Sequence, residues 1–241
     1  MNLIEAAERA VLAALFRAYP QAFVWIGGSV LQLLYGSPRA SYDLDLAAGD
    51  EVPPAAPLAK AAGEALAEVN QVLHSRCRVA KVAGAAPVRL QVLDRDARLF
   101  LVDCTRIAGH LGETTAVVID SLVGPQSVAI PTEASLLALK LEALLFRRFL
   151  KPSDVFDVWF LQSRRVALKD RHREWLSEHV RLREIGWSEI EQRFAKLTPG
   201  RLLADLQKHV SSEALHSWTP ARAQTALDQV RALLQTEIRW R

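Results

Sequence analysis

Residues 27–45 read Gly-Gly-Ser-Val-Leu-Gln-Leu-Leu-Tyr-Gly-Ser-Pro-Arg-Ala-Ser-Tyr-Asp-Leu-Asp and follow the apolar run Phe23-Val24-Trp25-Ile26. The run reads as a short buried strand, so Gly27, Gly28 and Ser29 fall where a strand ends and a helix begins. Two glycines let the backbone approach a ligand with no Cβ in the way, and the amides of a helix start favour negative charge. Ser29 can cap that helix or touch a phosphate. In Tyr42-Asp43-Leu44-Asp45-Leu46 the polar and apolar residues alternate. On a strand, Asp43 and Asp45 then share one face while Leu44 and Leu46 face the core. Two neighbouring carboxylates repel unless a cation neutralises them, and hard oxygen donors of this kind suit magnesium, which also accepts substrate phosphates as ligands. The competing explanation of the pair taken alone is a solvated strand edge.

What surrounds this stretch is an ordinary globular sequence. Its 241 residues, half of them hydrophobic, suffice for one large domain or two modest ones. Cys77 and Cys104 are too few for a disulfide framework or a zinc site, which points to a reducing compartment, the cytoplasm. Met1 to Ala18 is apolar but carries Glu5, Glu8 and Arg9 at helical spacing, so it reads as an amphipathic helix rather than a signal peptide or membrane span. No later window is suited to crossing a membrane. A net charge of +3 fits a polyanionic partner and equally a solvated basic surface.

Along the chain, Ser29 to Tyr35 reads as a short helix stopped by Gly36 and Pro38, followed by a loop in which Arg39 can meet a phosphate and the Ser41 hydroxyl can anchor the turn, loop solvation being the competing role of both and the preferred one for Ser41. Glu51 to Pro57 reads as irregular and Leu58 to His74 as a helix covering a sheet. Three β-type runs follow, Arg76 to Val82, Val88 to Asp94 and Leu99 to Thr105. Turns containing Gly84 and Pro87, then Asp94 to Asp96, favour consecutive antiparallel pairing. Asp103 interrupts the third run, and an unpaired buried carboxylate there would be strongly disfavoured. It lies either at a solvated strand end or beside Asp43 and Asp45 as a third ligand. Short apolar runs at Val117 to Ile119 and Ser127 to Ile130 precede Pro131, after which the pattern turns helical; the expected domains are residues 1–130 and 131–241.

A helix is expected from Thr132 and Glu133 to about Leu150, with Lys140 on its apolar face either snorkelling to water or clamping a triphosphate. After Lys151-Pro152, Ser153 is the expected N-cap of a helix carrying Asp154 and Asp157 on one face. Asp154 is also explained as a first-turn acid facing the helix dipole. Further helices are expected over Asp170 to Ile185, Ser188 to Leu197, Pro199 to Val210 and Pro220 to Arg241. Their many arginines are read as a solvated face in preference to a nucleic-acid groove. The six histidines, His110 among them, show no ligand spacing.

Gly27-Gly28-Ser29, Arg39-x-Ser41-x-Asp43-x-Asp45 and Asp103 together resemble the nucleotidyltransferases of the DNA polymerase beta superfamily. Lys140-Leu141-Glu142-Ala143-Leu144-Leu145, followed by Arg147 or Arg148, Lys151, Asp154 and Asp157, is similar to the later helices of the AbiEii/AbiGii-type toxin nucleotidyltransferases. The resemblance spans roughly residues 20 to 162 and implies an α+β fold, a mixed β-sheet flanked by helices with a helical C-terminal domain. It implies that Asp43, Asp45 and Asp103 hold two magnesium ions and that Lys140 and Asp154 complete the catalytic site. Gly27, Gly28, Ser29, Arg39 and Asp157 would surround the nucleotide. The implied reaction moves a nucleoside monophosphate from a nucleoside triphosphate to a hydroxyl of a nucleic acid, tRNA included, or of a protein. The protein would be a cytoplasmic toxin with a cognate antitoxin as partner and no membrane association. Two departures stand out: Pro152 and Ser153 occupy positions where a basic residue commonly precedes the first helix Asp, and Asp103 is placed by pattern alone. An antibiotic-type small-molecule nucleotidyltransferase and a catalytically idle nucleotide- or protein-binding module remain the alternatives.

Overall fold

The computed structural model describes residues 2–49, 51–83, 87–106 and 112–240; Gly84 and His110 lie outside them. The chain divides into two compact units, Met1–Val30 with Ser41–Pro131, and Leu31–Ala40 with Thr132–Arg241.

The first unit opens with α1 (Leu3–Ala18), capped by Asn2, whose side chain accepts from the Glu5 amide at 2.9 Å. Next come β1 (Phe23–Ile26), α2 (Gly28–Tyr35), along which the chain passes into the second unit, and β2 (Asp43–Ala48). The unit continues with α3 (Ala55–Leu73), β3 (Cys77–Ala83), β4 (Val88–Asp94), β5 (Ala97–Arg106), β6 (Thr114–Ile119) and β7 (Gln126–Pro131). Helix α3 starts before the expected Leu58 and takes Pro57 into its first turn, where a missing N–H costs nothing because that amide has no intrahelical acceptor.

The main sheet has the order β1-β2-β5-β4-β3. Strands β3, β4 and β5 form the expected antiparallel meander, and β1 pairs antiparallel with β2. The β2–β5 seam is parallel, which makes the sheet mixed. Strands β6 and β7 form a separate antiparallel pair. Inward alternation buries Trp25, Leu44, Leu46, Leu90, Phe100 and Val102 completely or nearly so, against Leu12, Leu15 and Phe16 of α1 and Leu66 of α3.

The second unit is helical: α4 (Glu133–Phe146), α5 (Pro152–Ser163), α6 (Asp170–Leu182), α7 (Trp187–Ala195), α8 (Pro199–His209), α9 (Ser212–Leu215) and α10 (Pro220–Glu237). Helix α5 is its centre, burying Val155, Phe156, Val158 and Leu161 against α4, α8 and α10. Thr132 caps α4 as expected, but the helix ends at Phe146 rather than near Leu150, with the Arg147 amide closing on the Ala143 carbonyl at 3.1 Å. The expected Ser153 cap is not formed. Helix α5 begins at Pro152, whose fixed φ suits a first helical position, and Lys151 stands at the N-cap without a side-chain bond. The mixed sheet with flanking helices and a helical C-terminal part is the fold the sequence implied.

Candidate active site

In the first unit the β2–β5 seam places Asp45 directly opposite Asp103, with Leu44 opposite Val102 and Leu46 opposite Cys104. Those four apolar residues are buried, while Asp43 is exposed and Asp45 and Asp103 are partly so. Residues two apart on a strand, and partners across a parallel pair, project to the same side. The three aspartates therefore share one face of the sheet. On the other flank of β2, Ile26 of β1 is the partner of Asp45, and the chain turns immediately afterwards at Gly27. Gly27 has φ +89°, and a Cβ built on it would stand 2.3 Å from the Asp45 Oδ2 atom. Only glycine lets the Asp45 carboxylate lie against this turn. Gly28 opens α2, so the first amides of that helix, which lack intrahelical acceptors, lie next in the chain to the turn that touches Asp45.

Ser29 is placed differently from the expectation. Its side chain is fully buried, and its hydroxyl accepts from Trp25 Nε1 at 2.9 Å, so what the residue offers a ligand is main chain.

Two charged residues of this region were not singled out from the sequence. Arg89 on β4 is the register partner of Asp103 and grips its carboxylate with two contacts, Nε–Oδ1 at 2.5 Å and Nη2–Oδ2 at 2.9 Å. Hydrogen bonding to Asp103 and its charge hold the Arg89 guanidinium above the usual range, and Asp43 and Asp45 add to the effect. Glu8 on α1, expected on a polar helix face, is only 2% exposed. Burial pushes its carboxyl up to about 8, with Glu5 and Asp43 adding and Arg9 opposing. Its Oε1 atom has no hydrogen-bond partner among the described residues.

Among the described residues no three His, Cys, Asp or Glu side chains converge as a ready metal cage. The donor set nonetheless fits a hard divalent cation in kind, with three carboxylates on one sheet face and two of them in register.

The remaining sequence-derived residues gather in the second unit. Asp157 of α5 is fully buried and receives Arg39 through Nε–Oδ1 and Nη2–Oδ2, both 2.8 Å, and Lys140 of α4 through Nζ–Oδ2 at 2.7 Å. Burial alone would push this carboxyl up; the Lys140 and Arg39 charges outweigh it and hold Asp157 below the usual carboxylate range. Asp154 takes Lys140 at 3.7 Å and also pairs with Arg147. With its side chain 12% exposed, Lys140 neither snorkels into water nor stands free for a phosphate. Arg39 and Asp157, expected near the nucleotide, are likewise matched to each other. Gly27, Gly28, Ser29, Asp43, Asp45 and Asp103 thus form one group in the first unit, and Arg39, Lys140, Asp154 and Asp157 another in the second.

The fold is that of the nucleotidyltransferases. JHP933 from Helicobacter pylori has a similar crystal structure, with a TM-score of 0.50 at 17% identity over 97% of this chain and 91% of that one. A second H. pylori structure, described as a candidate nucleotidyltransferase, has a TM-score of 0.50 at 17% identity over 98% and 94% of the two chains. The chain belongs to the AbiEii nucleotidyl transferase toxin family of type IV toxin–antitoxin systems, whose family model matches residues 10–234. The resemblance drawn from the sequence motifs is borne out. No curated protein matches the chain significantly.

Proposed function

We propose that this chain transfers a nucleoside monophosphate from a nucleoside triphosphate to a hydroxyl of a nucleic acid or protein, with two magnesium ions held by Asp43, Asp45 and Asp103. One observation carries the reading: three carboxylates share a sheet face, and the central one is seated against a turn that admits only glycine. Magnesium bound there would neutralise the departing pyrophosphate and acidify the attacking hydroxyl. Gly27 orients Asp45, and the amides at the start of α2 receive phosphate oxygens. Arg89 balances the carboxylates, and Asp103 would have to turn from its guanidinium to hold a cation. Lys140, Asp154, Asp157 and Arg39 act as positioning residues that tie α4 and α5 to the Leu31–Ala40 segment.

Membership of a toxin family argues for a cognate antitoxin as partner. No helix among the described residues is long and apolar enough to cross a membrane, and Cys77 and Cys104 are free, which favours work in the cytoplasm.

The test incubates the protein with each labelled triphosphate, magnesium and either total RNA or lysate, and asks where label goes. Label from one triphosphate on a macromolecule, lost with Asp45→Asn, is the expected result. Label only on small molecules would move the protein to the antibiotic-type class, and no transfer from any triphosphate would leave the idle-module reading.

A further inference from the structure

The second unit contains a cavity of about 320 Å³ between the α4–α5 loop, the end of α7 and the start of α8. Its lining brings together Arg148, Arg193, Lys196 and Arg201 with Phe149 and Leu197, and includes no acidic residue. Among the described residues none of the four cations is within ion-pair distance of a carboxylate, Glu189 acting on Arg193 only from further off; each salt bridge of the unit involves others. Four like charges around one hollow repel one another unless an anion enters.

Two of the cations brace the walls. Arg193 donates from Nη1 to the Leu145 carbonyl at 2.7 Å and from Nη2 to the Arg147 carbonyl, closing the end of α4, whose last carbonyls lack helical donors. Arg201 donates from Nη1 to the Lys196 carbonyl at 2.7 Å. Arg148 and Lys196 are left exposed. Phe149 is 71% exposed, the most exposed large hydrophobic residue of this unit, and the Arg148 guanidinium lies 5.1 Å from its ring centre. A ring offered to solvent beside free cations matches a ligand that carries both a planar π-face and a phosphate.

We propose that this cavity seats one nucleotide of a single-stranded nucleic acid, its base stacked on Phe149 and its phosphates met by Arg148 and Lys196. The volume lies within the range of roughly 300–1,000 Å³ typical of small-ligand sites, room for one nucleotide. A duplex keeps its bases stacked inside and cannot offer a face to Phe149. The inference does not depend on the transfer reaction, so it is tested on the Asp45→Asn protein, in which that reaction is silenced.

Fluorescence anisotropy would compare a labelled single-stranded RNA, the DNA strand of the same sequence, and the matching duplexes, each over a salt titration. Binding of RNA alone, or of both single strands, supports the site and names its source. Phe149→Leu should weaken single-strand binding roughly tenfold or more with an unchanged melting temperature. The pair Arg148→Gln and Lys196→Gln should lower the slope of log K against log salt by about 0.7 per charge removed, and Arg181→Gln on α6 should not. Parent-like binding by both cavity variants would overturn the proposal. So would equal binding to duplexes or to anionic phosphatidylserine vesicles that is indifferent to Phe149→Leu.

Discussion

At position 27 a side chain has nowhere to go. Gly27→Ala combines a φ of +89° with a methyl group driven into the Asp45 carboxylate, so Asp45 must swing away. We expect a stability loss of about 1–3 kcal/mol by urea titration and about a hundredfold drop in transfer, the scale of a small misplacement of a reacting group. Glu8 yields a pH prediction. Its carboxyl, at about 8 when folded against an ordinary 4.5, holds its proton more tightly in the folded chain. Stability is therefore intact below 4.5 and declines as pH rises toward 8, by up to about 1.4 kcal/mol per unit. Glu8→Gln should match the parent at pH 4 and exceed it at pH 8; equal urea midpoints at both would refute the assignment. Lys140 yields a third. Removing it leaves the buried Asp157 with Arg39 alone, so Lys140→Met should cost about 3–5 kcal/mol in chemical denaturation, whatever it does to turnover.

At the scale of elements, the β4–β5 hairpin controls how many positive charges face the aspartates. Arg89 and Asp103 are both partly exposed, so Arg89→Ala should shift stability by less than about 1 kcal/mol. The same change should tighten manganese binding to the aspartates, measured by calorimetry, because Asp103 no longer has to part from a guanidinium. Looser binding would show instead that Arg89 orients Asp103 for the ion. The strand pattern and the Asp43–Asp45 spacing were legible in the sequence because alternation alone decides which residues face inward. The Arg89–Asp103 pair was not. Counting from the turn at Arg95 and Asp96 sets Arg89 across from Val102, and the irregularity between Val92 and Leu93 moves it one residue on to Asp103. Lys140 escaped for another reason. Helical periodicity shows that it sits on an apolar face but not that Asp157 and Arg39 are waiting there.

At the scale of the molecule, the helical unit is discontinuous in sequence, taking in Leu31–Ala40. Arg39 caps the buried Asp157, Arg39 bridges to Val210, and the Ala40 amide donates to the His209 carbonyl at 2.6 Å. A fragment of residues 132–241 lacks all three links. We expect it to show helical far-ultraviolet circular dichroism without a cooperative melt, because Asp157 keeps Lys140 but loses the two-contact grip of Arg39. The parallel β2–β5 seam carries a different consequence, for the order of assembly. Strands β3, β4 and β5 are chain neighbours and close quickly, whereas β2 must join β5 across a long excursion of the chain. At that joint Asp45, with Asp43 one pleat away, comes up beside Asp103, and the single Arg89 that holds Asp103 across β4–β5 must then face three carboxylates, so the slowest closure adds negative charge faster than positive. Refolding should accelerate with added salt or divalent cation while unfolding changes little, and a newly made chain would lack its assembled carboxylate face until one of the last events of its folding.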